Sequence, residues 1–125
     1  MTNSDRARAF FAAWEACDLE AILAALAPDV RYHNMPMPLM VGVDAVRAFI
    51  APLLAIATSI EWRIPALAES PEGLELSERT DIFRTPRGDI EIAVMGPMAF
   101  DAEGRITAWR DYFDLASFQK QLEVR

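Results

Sequence analysis

Residues 59–112, SIEWRIPALAESPEGLELSERTDIFRTPRGDIEIAVMGPMAFDAEGRITAWRDY, decide the fold. Four runs rich in apolar and β-branched residues, 59–68, 74–84, 89–100 and 105–112, read as strands. Between them lie Ser70-Pro71-Glu72-Gly73, Thr85-Pro86-Arg87-Gly88 and Asp101-Ala102-Glu103-Gly104. Each spacer is short and closes on glycine, the signature of a tight turn. Three such turns in succession predict an antiparallel meander.

The first half of the chain has the other periodicity. Ala7, Phe10, Phe11 and Trp14 recur at helical spacing within residues 4–16, with Asn3 or Ser4 available as a cap. Asp18 can cap a second short helix running to about residue 26, where Ala27-Pro28 ends it. Residues 30–34 read as a short strand, followed by Met35-Pro36-Met37-Pro38. A third helix is expected over 44–56, with Val46, Phe49, Ile50, Leu53 and Leu54 on its apolar side and Pro52 kinking or unwinding it. Residues 113–122 suit a closing loop or short helix, and 119–125 a solvated tail. Helices first and a curled meander after them make an α+β domain whose sheet can wrap around a pocket.

Composition narrows the function classes. The 125 residues suit a single domain spanning 1–125. They are 53% hydrophobic and 25% charged, as in a globular rather than a disordered chain. No apolar run reaches the length of a membrane span, and the first residues lack the apolar centre of a signal peptide, so a cytoplasmic protein is expected. Cys17 is the only cysteine, which leaves no internal disulfide. A net charge of −7 with no basic cluster argues against nucleic acid and anionic membranes as partners. His33 is the lone histidine, and no Cys/His/carboxylate spacing suggests a metal.

Polar residues within the strands carry the functional signal. Residues two apart share a strand face, so Tyr32 pairs with Asn34, and Arg79 with Asp81 and Phe83. Asp111 shares its face with Trp109 and Phe113, large apolar residues expected inside. By the same parity His33 points the opposite way from Tyr32 and Asn34. Ile92 and Val94 continue to Gly96 and Met98 and can supply an apolar wall. Two carboxylates with an arginine between them have a chemical use, because in a low dielectric one acid of the pair keeps its proton while the other serves as base. Spacing alone leaves other readings open: a structural ion pair between Arg79 and Asp81, or an outward-facing Asp111 after a one-residue change of register.

Tyr32-His33-Asn34-Met35-Pro36-Met37-Pro38, Glu78-Arg79-Thr80-Asp81 and Trp109-Arg110-Asp111-Tyr112-Phe113-Asp114 together resemble the limonene-1,2-epoxide hydrolases. Order and spacing agree, Gly96 and Gly104 fall in matching places, and the resemblance runs from the first helix to Phe118. It implies a cone-shaped domain with a curved mixed or antiparallel sheet and three N-terminal helices enclosing a deep pocket, the fold shared by nuclear transport factor 2, ketosteroid isomerase and SnoaL-like proteins. It also implies a homodimer packed through the sheet and a reaction without a cofactor. Asp111, with Tyr32 and Asn34, would hold and deprotonate water. Asp81 would protonate the epoxide oxygen, and Arg79 would bridge the two carboxylates. Phe83, Ile92, Val94, Trp109, Phe113 and Phe118 would wall the site around a small apolar epoxide and its catalytic water. Pro52 and Pro97 depart from what such a scaffold leads one to expect. The rivals on the same scaffold are an isomerase or polyketide-cyclase-like enzyme, which needs a base and an oxyanion donor but no arginine between two aspartates, and a non-catalytic small-molecule-binding domain.

Overall fold

In a computed structural model, which describes residues 1–123, the two periodicities resolve into helices packed on one face of a single curved sheet. Helix α1 (Asn3–Glu15) starts from Thr2, not from Asn3 or Ser4: the Thr2 side chain accepts from Asp5 N and the Asp5 side chain accepts from Thr2 N, a reciprocal cap. It ends at Cys17, whose φ of 53° reverses the chain while the amides of Cys17 and Asp18 close onto Trp14 and Ala13. Cys17 is thus a half-buried helix terminator. Asp18 caps α2 (Leu19–Ala24) as expected, its side chain accepting from Ala21 N at 3.1 Å.

Strand β1 (Leu26–Asn34) starts earlier than the sequence suggested, because Leu26 already pairs with Ile106. The Met/Pro segment turns the chain into β2 (Met40–Val41), too short to carry a periodic signal. Helix α3 (Val43–Ile56) runs through Pro52 without interruption. Both Pro52 and Ala48 are exposed, so the carbonyl freed by the missing N–H can be hydrated.

The meander follows as β3 (Ser59–Glu69), β4 (Glu75–Thr85), β5 (Gly88–Phe100) and β6 (Ile106–Asp111). Spatial order is β2-β1-β6-β5-β4-β3, with β1 parallel to β6 and every other pair antiparallel. Pro65 sits at a register shift on the edge strand β3, where a missing donor is tolerated. Pro97 lies where β5 and β6 are not hydrogen-bonded, between the Met95–Tyr112 bridge and the Met98–Trp109 pair. Helix α4 (Leu115–Glu123) replaces part of the expected tail: Gln121 exchanges two hydrogen bonds with the Glu91 backbone, at 2.7 and 2.8 Å. The rest of that tail, residues 124–125, lies outside the described residues.

The core fills the concave side. Phe10, Phe11 and Trp14 of α1 meet Trp62, Phe83 and Trp109 of the sheet, with Trp14 stacked on Trp62 at 4.9 Å. Burying each ring is worth about 2–3 kcal/mol, so α1 is held by its aromatic stripe rather than by its polar face. Beside these rings the same concave face carries charge.

Candidate active site

Strand alternation puts Glu75, Ser77, Arg79, Asp81 and Phe83 of β4 on the concave face, and all five are buried. Opposite them on β5 stand Met98, Gly96, Val94, Ile92 and Ile90 in register. Asn34 pairs with Asp111, and Tyr32 with Trp109, across the parallel β1–β6 ladder. The register therefore brings three separate stretches of sequence to one place.

Arg79 is the centre of that place. Its Nε donates to Asp81 Oδ1 and its Nη2 to Asp81 Oδ2, both at 3.1 Å, a side-on fork. The same Nη2 donates to Asp111 Oδ2 at 3.1 Å. The other oxygen of Asp111 accepts from the Trp109 indole Nε1 at 2.9 Å. The guanidinium lies over the rings of Trp62, at 4.6 Å, and Phe11, at 5.2 Å. A planar cation stacks on these faces while keeping its forked donors in plane, which an ammonium does not offer.

Electrostatics follow from burial. Desolvation opposes the charge of Arg79, but Asp111 and Asp81 outweigh it and raise its pKa. Asp81 is pushed up to about 6, chiefly by burial; Arg79 opposes the shift and the Asp111 charge adds to it. Asp81 therefore holds its proton to a higher pH than an ordinary carboxyl. Burial, and then the Asp111 charge, raise the Tyr32 pKa well above 10, while its hydrogen bond with Asn34 works the other way. Tyr32 therefore stays a neutral phenol, stacked on Trp109 at 3.9 Å.

These groups face a cavity of about 40 Å³, enough for water but well below the ~300 Å³ or more of most small-molecule sites. Tyr32, Asn34, Asp81 and Asp111 supply its polar lining. Phe83, Ile92, Val94, Trp109, Phe113 and Phe118, the walls the resemblance implies, all line it, with Arg79 buried behind them. Trp109 does more than wall the site, since its N–H holds Asp111. His33 turns away, as its parity indicated, and its Nε2 lies 2.9 Å from the Met37 carbonyl oxygen.

Sequence reasoning missed Trp14, Trp62, Phe49 and Leu53, which also line the cavity. Trp14, Phe49 and Leu53 were legible only as apolar positions of helices, and nothing local distinguishes a core residue from a wall of a cavity. It also passed over Glu75 and Ser77, although the alternation Glu75-x-Ser77-x-Arg79-x-Asp81 continues the polar face without a break.

Comparison with known proteins adds a family and a fold. The family model for the limonene-1,2-epoxide hydrolase catalytic domain matches residues 1–124. Among solved structures, an LEH-like epoxide hydrolase from M. tuberculosis is 28% identical with a TM-score of 0.80, covering 97% of this chain and 89% of its own. An NTF2-like protein of unknown function from Burkholderia pseudomallei is 25% identical with a TM-score of 0.77, covering 99% and 98%. A protein described as a SnoaL-like polyketide cyclase from Shewanella denitrificans shares the fold with a TM-score of 0.84 at 16% identity, covering 98% of each chain.

Proposed function

Because this chain belongs to the limonene-1,2-epoxide hydrolase family, we propose that it adds water to a small, mostly apolar epoxide in one acid/base-catalysed displacement, giving a vicinal diol. One observation carries the reading: a single buried guanidinium bonds both Asp81 and Asp111, and both acids border an apolar cavity that holds water as it stands and has to widen for an epoxide. Asp111, ionised, takes a proton from a water placed by Tyr32 and Asn34. That water attacks an epoxide carbon as the C–O bond breaks, and protonated Asp81 delivers its proton to the departing oxygen. Negative charge moves from Asp111 to Asp81 under the same cation, so the net charge of the triad is unchanged through the step. No ester to the protein forms, and no cofactor takes part.

The isomerase alternative has no use for an arginine shared by two acids, and a binding domain has no use for an acid poised near neutrality. The test is a single turnover of cyclohexene oxide, styrene oxide and limonene oxide in ¹⁸O-labelled water. Label should appear in the first diol released. Label found first in an aspartate, or no epoxide opened, refutes the reading.

The homodimer implied by the resemblance has a surface to use. Exposed Leu76, Met95 and Tyr112 lie with Pro97 along an apolar groove on the convex side of the sheet. A second copy packed there would stiffen β4, which carries Asp81, and the Met95–Tyr112 bridge beside Asp111.

A further inference from the structure

A cavity that has to widen for an epoxide needs a wall that moves. Besides the sheet, three helices wall it, through Trp14 of α1, Phe49 and Leu53 of α3, and Phe118 of α4. They are held unequally. Helix α1 buries Ala7, Phe10, Phe11 and Trp14. Helix α3 buries Val46 and Ile50, and its Arg47 forks onto Glu20 of α2 at 2.7 and 3.1 Å. Helix α4 buries Phe118 alone. An element with so little buried apolar surface opens more readily than its neighbours.

One side chain makes up for that lack of burial. Strand β6 pairs with β5 at residues 98–100, and the Met95–Tyr112 bridge is the next contact along. Among the described residues, the first part of β5, residues 88–94, therefore has no strand on that side. Gln121 stands in for one. Its Oε1 accepts from Glu91 N at 2.7 Å and its Nε2 donates to the Glu91 carbonyl oxygen at 2.8 Å, the reciprocal pair a strand residue would make. Both bonds lie at the surface, where water can replace them. One turn earlier, Phe118 meets Phe113 edge-on at 6.0 Å. The first turn of α4 has its own cap, because Asp114 Oδ1 accepts from Ser117 N at 3.2 Å.

We infer that α4 is the door of the cavity and Gln121 its latch: release of the two Glu91 bonds lets α4 turn away about Phe113 and Asp114, carrying Phe118 out of the wall and admitting substrate. The inference rests on the reading of this cavity as the epoxide site. Gln121 does not line the cavity, so it governs entry and not the displacement.

Gln121→Leu, which keeps a side chain of similar length without its hydrogen bonds, and Gln121→Ala test it. Trp14, Trp62 and Trp109 are the only tryptophans; all are buried and all line the cavity. Quenching of their fluorescence by acrylamide therefore reports the door without any epoxide. Losing two hydrogen bonds should raise the open population about tenfold and the quenching constant roughly twofold or more. For limonene oxide, kcat/KM should rise about fivefold with kcat unchanged or lower, since entry has been eased and not chemistry. Pro52→Ala, which returns the missing donor to α3, should quench as the wild type does. Unchanged quenching in both Gln121 variants overturns the proposal, as does a fall in Pro52→Ala, which would place the door in α3. If the wild type opens no epoxide the hydrolase reading fails, yet the quenching still decides whether α4 is the door.

Discussion

At the scale of single residues, the site is defined by how many donors each carboxylate receives. Asp81 takes two from one arginine; Asp111 takes one from Arg79 and one from Trp109. Asp81→Asn and Asp111→Asn should each lower kcat by at least about 10²-fold, the usual contribution of a general acid or base, with the fold retained by circular dichroism. A variant keeping more than a tenth of wild-type turnover would remove that residue from the mechanism. Stability carries a second consequence. Asp81 and Glu75 both have raised pKa values in the folded chain, about 6 and about 7 against 3.8 and 4.5. Between about pH 4 and 7 the folded state therefore binds protons that the unfolded state has released, and stability falls as pH rises. The denaturation midpoint should be higher at pH 5.5 than at pH 8, and Glu75→Leu should narrow the gap. A higher midpoint at pH 8 would contradict both shifts.

At the scale of elements, the approach of β5 to β6 sets where Asp111 stands. A Cβ built on Gly96 would collide with the Arg110 carbonyl oxygen and come within 3.1 Å of Asp111 Oδ1. Glycine here serves closeness rather than a turn. Gly96→Ala should cost about 1–3 kcal/mol by forcing the strands apart, and should lower kcat because Asp111 moves with β6. Guanidinium denaturation and turnover measured on the same sample check it; unchanged turnover would mean that Asp111 tolerates the shift. The sequence marked Gly96 only through its place in the resemblance. The reason for it is a contact between strands, invisible along the chain. Helix ends were read better than helix identities were needed: Asp18 was a correct cap because capping is local, whereas the Thr2 cap was missed because Asn3 and Ser4 offered equally good side chains.

At the scale of the whole molecule, the sheet divides two tasks. Its concave face holds the aromatic core, the acids and the cavity; its convex face carries the apolar groove around Leu76, Met95 and Tyr112. Among the described residues no helix is long and apolar enough to cross a membrane. A second copy is the partner expected here, and Met95→Glu should convert a dimer to a monomer by light scattering. A wild-type chain that is monomeric at micromolar concentration would rule the dimer out.

The sequence by itself determined three helices, five strands, the three glycine-closed turns and the shared parity of Tyr32 with Asn34 and of Arg79 with Asp81. These are local properties, governed by backbone preference and the twofold period of a strand. Only the tertiary structure decided that the faces meet. The parallel pairing of β1 with β6 joins residues about 80 apart in the chain, and no local pattern encodes that distance. It also decided that Trp109 holds Asp111, that Arg79 lies behind the cavity rather than in it, and that Glu75 is buried beside Ser77. Each depends on what the neighbouring strand and α1 bring alongside, and on how much water they exclude.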